Sequence, residues 1–452
     1  MQLDSLYRHH LEQLDRWLVD SLEHAAAAGA AFDGVAFHAG SAAHYHADDR
    51  AVPFVPAQHC RRWVPPLASP DSLIVARPGR PLLVVRACPQ DYWYDTAPPP
   101  PSYWEDAVQL EQVERFEQVP DVVGALDGIA YVGPSPAAAA SLGLEGDAVE
   151  PPALLAPLDW YRATKTEFEI AVLRQAIERA AAGHRAGRDT FLAGGSERDA
   201  YRAYLEAGDL LESDMPYDAI IAFDDKAAIL HYQRKRGDGP AAASLLLDAG
   251  ADVDGYAADI TRTWWRDAAR GGVHNAFKAL VRGVDALERD LVAMVRPGRS
   301  FVDLHLEAHR RVAALLGEVG VISASVEEAV ERRLTRVFFP HGLGHLLGLQ
   351  VHDVGGQQTA PTGGVTPPPD DHVLRNTRTL EPGQVTTIEP GLYFVPMLLD
   401  PQREGELADL VDWSLVDALI PFGGVRIEDD ILCTEDGHED LTRPLVDGPP
   451  SA

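Results

Sequence analysis

Leu245-Leu-Leu-Asp248-Ala-Gly-Ala-Asp-Val-Asp-Gly-Tyr256-Ala-Ala-Asp259-Ile-Thr-Arg-Thr263 holds four aspartates, of which Asp248 and Asp259 stand next to apolar residues rather than in the polar turn between them. Asp248 closes an apolar run that predicts a buried strand. Asp259 follows eleven positions later, far enough for two strands and a tight connection, so the two carboxylates can meet. An ionised carboxylate on a buried strand is costly unless a cation or hydrogen bonds compensate it. Read singly, either aspartate serves as well in a turn or cap. Further donors along the chain decide between these readings.

Three histidines follow within twelve residues, in Phe338-Phe-Pro-His341-Gly-Leu-Gly-His345-Leu-Leu-Gly-Leu-Gln-Val-His352-Asp353, with glycines that let the backbone approach a ligand closely. The pattern is not H-E-x-x-H, because Gly342 stands where the glutamate would be, which disfavours a single-zinc protease. Glu389 ends the β-rich run Gln384-Val-Thr-Thr-Ile-Glu389 before a Pro-Gly turn, and strand alternation puts Arg426 and Glu428 on one face. An ion pair with Arg426 is the plain alternative for Glu428. Four carboxylates and one histidine make an oxygen-rich set that suits two divalent ions about 3.5–4 Å apart sharing a water. Manganese is the first expectation, with cobalt or zinc as alternatives. A hydroxide generated there predicts hydrolysis.

In this order the segments resemble the pita-bread metallopeptidases, which include prolidases, aminopeptidase P, methionine aminopeptidase and the organophosphorus acid anhydrolases; the resemblance spans Trp160 to Asp440. It implies an α+β pita-bread catalytic domain in which Asp248 and Asp259 hold one ion and His345 and Glu389 the other. Asp259 and Glu428 bridge the two, and Glu389 also shuttles the proton. His231, His341 and His352 then polarise the scissile carbonyl or steady the intermediate. Arg375 and Arg426 match arginines that, in similar prolidases, hold the carboxylate of a C-terminal proline, a bidentate contact that favours dipeptides. Tyr45-His-Ala-Asp48-Asp49-Arg-Ala-Val-Pro-Phe54 and Asp214-Met-Pro-Tyr217 look like the bacterial prolidase and organophosphorus acid anhydrolase subgroup. That likeness implies that Tyr217 lines the pocket and that Asp48 or Asp49 reaches it across a homodimer interface. The expected activity is hydrolysis of Xaa-Pro dipeptides, with organophosphorus triesters as a side activity. An aminopeptidase taking longer peptides and a non-catalytic binding protein are the alternatives.

Outward from these motifs, apolar residues spaced by three and four predict an amphipathic helix over Leu3 to Leu22. Strands are predicted at Gly34 to His38, Ser72 to Arg77, Pro81 to Ala87 and Ile129 to Gly133, giving a smaller α/β domain over residues 1–157. The catalytic domain is expected over 158–452, opening with a helix whose capping box is Thr164-Lys-Thr-Glu167. Pro361 to Pro369 reads as an exposed loop, and Tyr92-Trp93-Tyr94 as buried core. A formal charge of -30 repels phosphate backbones and anionic membranes, so neither nucleic acid nor a membrane is an expected partner. Three scattered cysteines indicate no disulfide framework. With no signal-like N-terminus, the expected location is the cytoplasm.

Overall fold

The computed structural model describes residues 3–67, 69–93, 98–104, 106–237, 242–266, 271–369 and 373–448. They form two compact units. The first comprises residues 1–172 with Asp254–Tyr256 and Gln358–Val365, and the second the rest.

In the N-terminal unit, the helix Leu3–Ala27 buries Tyr7, Leu14, Leu18 and Leu22 on one stripe. Five strands lie in the order Gln109–Val113, Leu83–Ala87, Leu73–Ala76, Gly34–His38, Ile129–Val132. The outer pairs are parallel and the inner two antiparallel. Gln109–Val113 was not expected: Gln-Leu-Glu-Gln-Val carries little apolar signal because it is an edge strand, and polar side chains blunt such an edge. Two helices, Pro136–Ser141 and Pro152–Arg162, occupy the alanine- and proline-rich stretch, each opening on a proline whose missing N–H costs nothing in a first turn.

Four further expectations for the chain are corrected. The box that starts the helix Glu167–Leu192 is Thr166 with Glu169, two residues later than expected: the Thr166 amide donates to Glu169 Oε2 at 2.8 Å and the Glu169 amide to Thr166 Oγ1 at 3.4 Å. Within residues 361–369, Gly363–Val365 is a strand paired with Gln358–Ala360, and φ values of 97° at Gly363 and 84° at Gly364 explain the glycines. Tyr92 and Trp93 are exposed rather than core, while Tyr94 lies outside the described residues. The helical pattern that the sequence carries from Val326 to Arg336 predicts one helix, but the chain forms two short ones, Val326–Glu331 and Thr335–Phe338, parted at Arg333, where φ is 60°.

In the second unit the long helices Gly272–Val292 and Phe301–Val319 share one apolar core with Phe338, Leu343, Ile388, Leu392 and Ile431. Small antiparallel sheets lie on this core. Ser244–Asp248 runs between Ile220–Phe223 and Thr261–Trp265, with Asp248 opposite both Ile220 and Thr261. Asp429–Cys433 runs between Val385–Ile388 and His438–Asp440, and Gly391–Tyr393 pairs with Gly424–Arg426. Single bridges, Thr261 to Glu428 and Leu346 to Thr386, join these pieces. Among the described residues no helix is long and apolar enough to cross a membrane.

Candidate metal centre

The local chain paths bring the donors together. Asp248 ends its strand, and Gly250 just beyond it passes so close to the returning chain that a Cβ there would lie 1.9 Å from the Ala258 carbonyl oxygen. Asp259 therefore sits in a break, Ala258 to Ile260, between short strands, and its amide donates to Asp430 Oδ2 at 3.2 Å instead of to a ladder partner. Glu428 stands opposite Thr261, whose hydroxyl donates to Glu428 Oε2 at 2.6 Å. Gly344 has a similar use: a Cβ would lie 2.1 Å from the Thr387 carbonyl oxygen, so the glycine admits a neighbouring strand backbone rather than a ligand. That approach fixes His345, whose carbonyl accepts the Thr387 amide at 3.0 Å, and it brings Glu389, one residue past Val385–Ile388, beside the imidazole.

Nitrogen Nδ1 of His345 lies 3.1 Å from the Leu346 carbonyl, so it carries the proton and leaves Nε2 free as a ligand. Nε2 lies 3.4 Å from Asp259 Oδ2 and 3.6 Å from Glu389 Oε1. Ligand atoms of Asp259, His345 and Glu428 all lie within 4.8 Å of one another, and all three residues are buried. Arg426 is the guanidinium within this cluster. It pairs with Asp248 Oδ2, donates to Tyr393 Oη at 2.6 Å and to Thr261 Oγ1 at 3.2 Å. Its charge is directed at Asp248, so the ion pair with Glu428 that stood as the plain alternative is not what it makes. With all three nitrogens engaged it also does not present a free fork to a substrate carboxylate.

These charges are under-compensated. Burial, then the negative charges of Asp259, Glu389 and Asp248, push Glu428 well above the carboxylate range. Burial raises Asp248 despite Arg426. Glu389 is raised to about 7 by burial, with His345 opposing. Burial lowers the basicity of His345, but the hydrogen bond and charge of Asp259 and the charge of Glu389 outweigh it. Mostly hard oxygen donors with one imidazole, buried with more negative charge than Arg426 offsets, fit divalent cations.

Around this core, Tyr217 links two of the candidate donors: its hydroxyl lies 2.7 Å from Asp248 Oδ1 and 2.5 Å from Asp259 Oδ1. His341 has Nδ1 2.8 Å from the Gly342 carbonyl and Nε2 2.8 Å from Tyr393 Oη, and its Nδ1 lies 3.6 Å from Glu389 Oε2. Because Tyr393 accepts from Arg426, its own proton points to His341 Nε2; desolvation and Arg426 hold this imidazole neutral, down to about 3. The ring of His352 stands 4.5 Å from that of His345, and desolvation with the charges of His345, Arg375 and His231 lowers it to about 4. Arg375 and His231 are exposed, and Arg375 makes no ion pair among the described residues. Asp48 and Asp49 belong to the N-terminal unit, on an exposed turn closed by the His44–Ala51 bridge, and are not members of the cluster. Thr261, Thr387, Tyr393 and Asp430 were missed. Hydroxyls and a second-layer carboxylate carry no pattern of their own, although Tyr393 follows Glu389 within the same turn motif.

Residues 171–435 match metallopeptidase family M24, and residues 5–160 match the N-terminal domain of Xaa-Pro dipeptidases. The chain belongs to the M24 metallopeptidases, with the pita-bread catalytic fold behind a separate N-terminal domain, and it is a peptidase by that membership. Among its relatives is the Xaa-Pro dipeptidase of Escherichia coli (strain SE11), 39% identical over 448 residues, covering 98% of this chain and 99% of that one. The Xaa-Pro dipeptidase of Shigella flexneri is similar to the same extent. Of solved structures, aminopeptidase P from E. coli with the inhibitor Pro-Leu superposes at a TM-score of 0.71 with 22% identity, covering 97% of this chain and 95% of the other. Proline aminopeptidase P II from Yersinia pestis gives 0.71 and 23%, covering 99% and 97%, a likeness of fold.

Proposed function

We propose that this protein hydrolyses Xaa-Pro dipeptides and releases C-terminal proline. The observation that carries the reading is the buried meeting of Asp248, Asp259, His345 and Glu428 with Glu389 at its edge, a donor set carrying more negative charge than Arg426 offsets. Asp248 and Asp259 would hold one divalent ion and His345 and Glu389 a second, with Asp259 and Glu428 shared; manganese suits the donors first, cobalt or zinc next. Bound there, such ions supply Lewis acidity and lower the pKa of a bound water towards neutrality. Glu389, at the edge of the donor set beside His345, is placed to take a proton from the attacking water and return it to the departing proline nitrogen. His352, beside His345, holds hydrogen bonds around the scissile carbonyl with His231 at the exposed rim, and neutral His341, its Nδ1 on the Gly342 carbonyl and its Nε2 on Tyr393, fixes the Tyr393 hydroxyl at the edge of the site.

Arg375 takes over the whole task shared with Arg426: it is exposed and makes no ion pair among the described residues, and its guanidinium would take the proline carboxylate. The 39% identical Xaa-Pro dipeptidases support the same substrate class. We further propose that residues 1–157 form a non-catalytic domain, that Asp48 or Asp49 completes the pocket of a second copy in a homodimer, and that organophosphorus triesters are accepted by the same hydrolytic centre. Three free cysteines, Cys60 and Cys433 among them buried, support a reducing, cytoplasmic location.

Comparing proline release from Ala-Pro with cleavage of Ala-Pro-Gly tests the reading. Wild type cuts the dipeptide with at least about tenfold preference, and Arg375→Ala raises KM for it by about tenfold or more with little change in kcat, the loss of one charged hydrogen-bonding contact. Preferred cleavage of the tripeptide would identify an aminopeptidase instead.

A further inference from the structure

Directly behind the donor cluster lies a charged layer that the reaction itself does not use. Arg262 is only 3% exposed, yet all five of its N–H groups have acceptors. Nη1 donates to the carbonyls of Thr261 at 3.0 Å and Glu428 at 2.8 Å; Nη2 donates to Asp429 Oδ1 at 2.7 Å and Asp447 Oδ2 at 3.0 Å; Nε donates to Asp447 Oδ2 at 3.1 Å. The two carbonyls belong to the residues that form the Thr261–Glu428 bridge, where the Glu428 amide also donates to the Thr261 carbonyl at 3.0 Å. Fully buried Asp429 is held on its other oxygen by Arg443 at 2.8 Å, and Arg443 in turn reaches Asp285 at 2.7 Å and Glu288 at 2.5 Å on the helix Gly272–Val292.

We propose that Arg262 is a positioning residue for the metal centre: its fork clamps the chain after Asp259 to the chain at Glu428 and so sets where the two shared carboxylates meet. This inference rests on the two-ion reading above. Local chemistry favours the role over simple packing. The break at Ala258 to Ile260 leaves Asp259 outside any strand ladder, so the first paired residue behind it, Thr261, sets its approach to Glu428. A lysine has three donors on one point charge and cannot serve two carbonyls and two carboxylates in one plane. Outer-layer partners of metal ligands are worth about ten- to a hundredfold in metal affinity.

Calorimetric titration of chelator-stripped protein with manganese, alongside the electron paramagnetic resonance spectrum of the loaded form, tests this on wild type, Arg262→Lys and Asp447→Asn. Wild type binds two ions with an exchange-coupled spectrum. Arg262→Lys binds the second ion about tenfold more weakly and loses coupling, with kcat reduced and KM for Ala-Pro unchanged. Asp447→Asn, altered only at the outer acceptor, retains both ions. Wild-type affinities and spectrum in Arg262→Lys, even with a lowered Tm, would reduce the layer to packing and overturn the proposal. Should Arg262→Lys not fold, Asp429→Asn decides: weakened second-ion binding supports the proposal and unchanged binding overturns it. A wild type that fails to bind two ions removes the two-ion reading itself, a result distinct from either.

Discussion

Glu389 is the residue at which structure and chemistry meet most closely. In the metal-free chain, burial raises its carboxyl from 4.5 to about 7, so the folded state prefers the protonated acid. A raised folded value contributes stability that is complete below the unfolded value and is lost as pH rises through the folded one. The Tm of chelator-stripped wild type minus that of Glu389→Gln therefore falls from about pH 5 to about pH 8. Added manganese abolishes the fall, because a cation favours the ionised carboxylate. Parallel Tm curves for the two proteins would contradict this. Asp248, Asp259, His345, Glu389 and Glu428 were legible as candidate donors because each stands in a short motif where chemistry constrains its neighbours. The partners of Arg426 were not: alternation puts it beside Glu428, but the path of Ser244–Asp248 brings Asp248 closer, and strand pairing between distant segments leaves no mark in local sequence.

Among the elements, the segment from Phe223 to Arg236 carries exposed His231, and a single buried carboxylate holds both its ends. Glu197, at the start of the helix Glu197–Gly208, accepts from the Phe223 amide at 3.1 Å, Tyr232 Oη at 2.9 Å, the Arg236 amide at 2.7 Å and Arg236 Nη2 at 2.7 Å. Hydrogen bonds to a charged group are worth about 1.5–3 kcal/mol each. Glu197→Gln therefore loosens the segment, and trypsin cuts at exposed Arg234 about tenfold faster while manganese binding is unchanged. An unaltered digestion rate would show that the segment is held elsewhere. Element positions in the sequence were clear wherever an apolar period ran long, as in Leu3–Ala27. They were lost at Gln109–Val113 and Gly363–Val365, whose polar or glycine-rich strands lie mostly exposed, so burial imposes no alternation on them.

Across the whole molecule, the sequence order of the donor motifs foretold the pita-bread fold. Five donors spread from Asp248 to Glu428 converge only if small sheets pair across segments far apart in the chain, as the Thr261–Glu428 bridge does. The described cysteines are free, and the formal charge is -30. Two-metal hydrolysis of Xaa-Pro dipeptides is checked by release of free proline from Ala-Pro by chelator-stripped protein, measured with and without manganese. Wild type recovers activity on adding manganese, and Glu389→Gln, with the same dipeptide and metal, falls by at least about a hundredfold, as removal of a general acid–base group does. Cleavage that survives chelation, or a wild type inert with every divalent ion, would contradict the account.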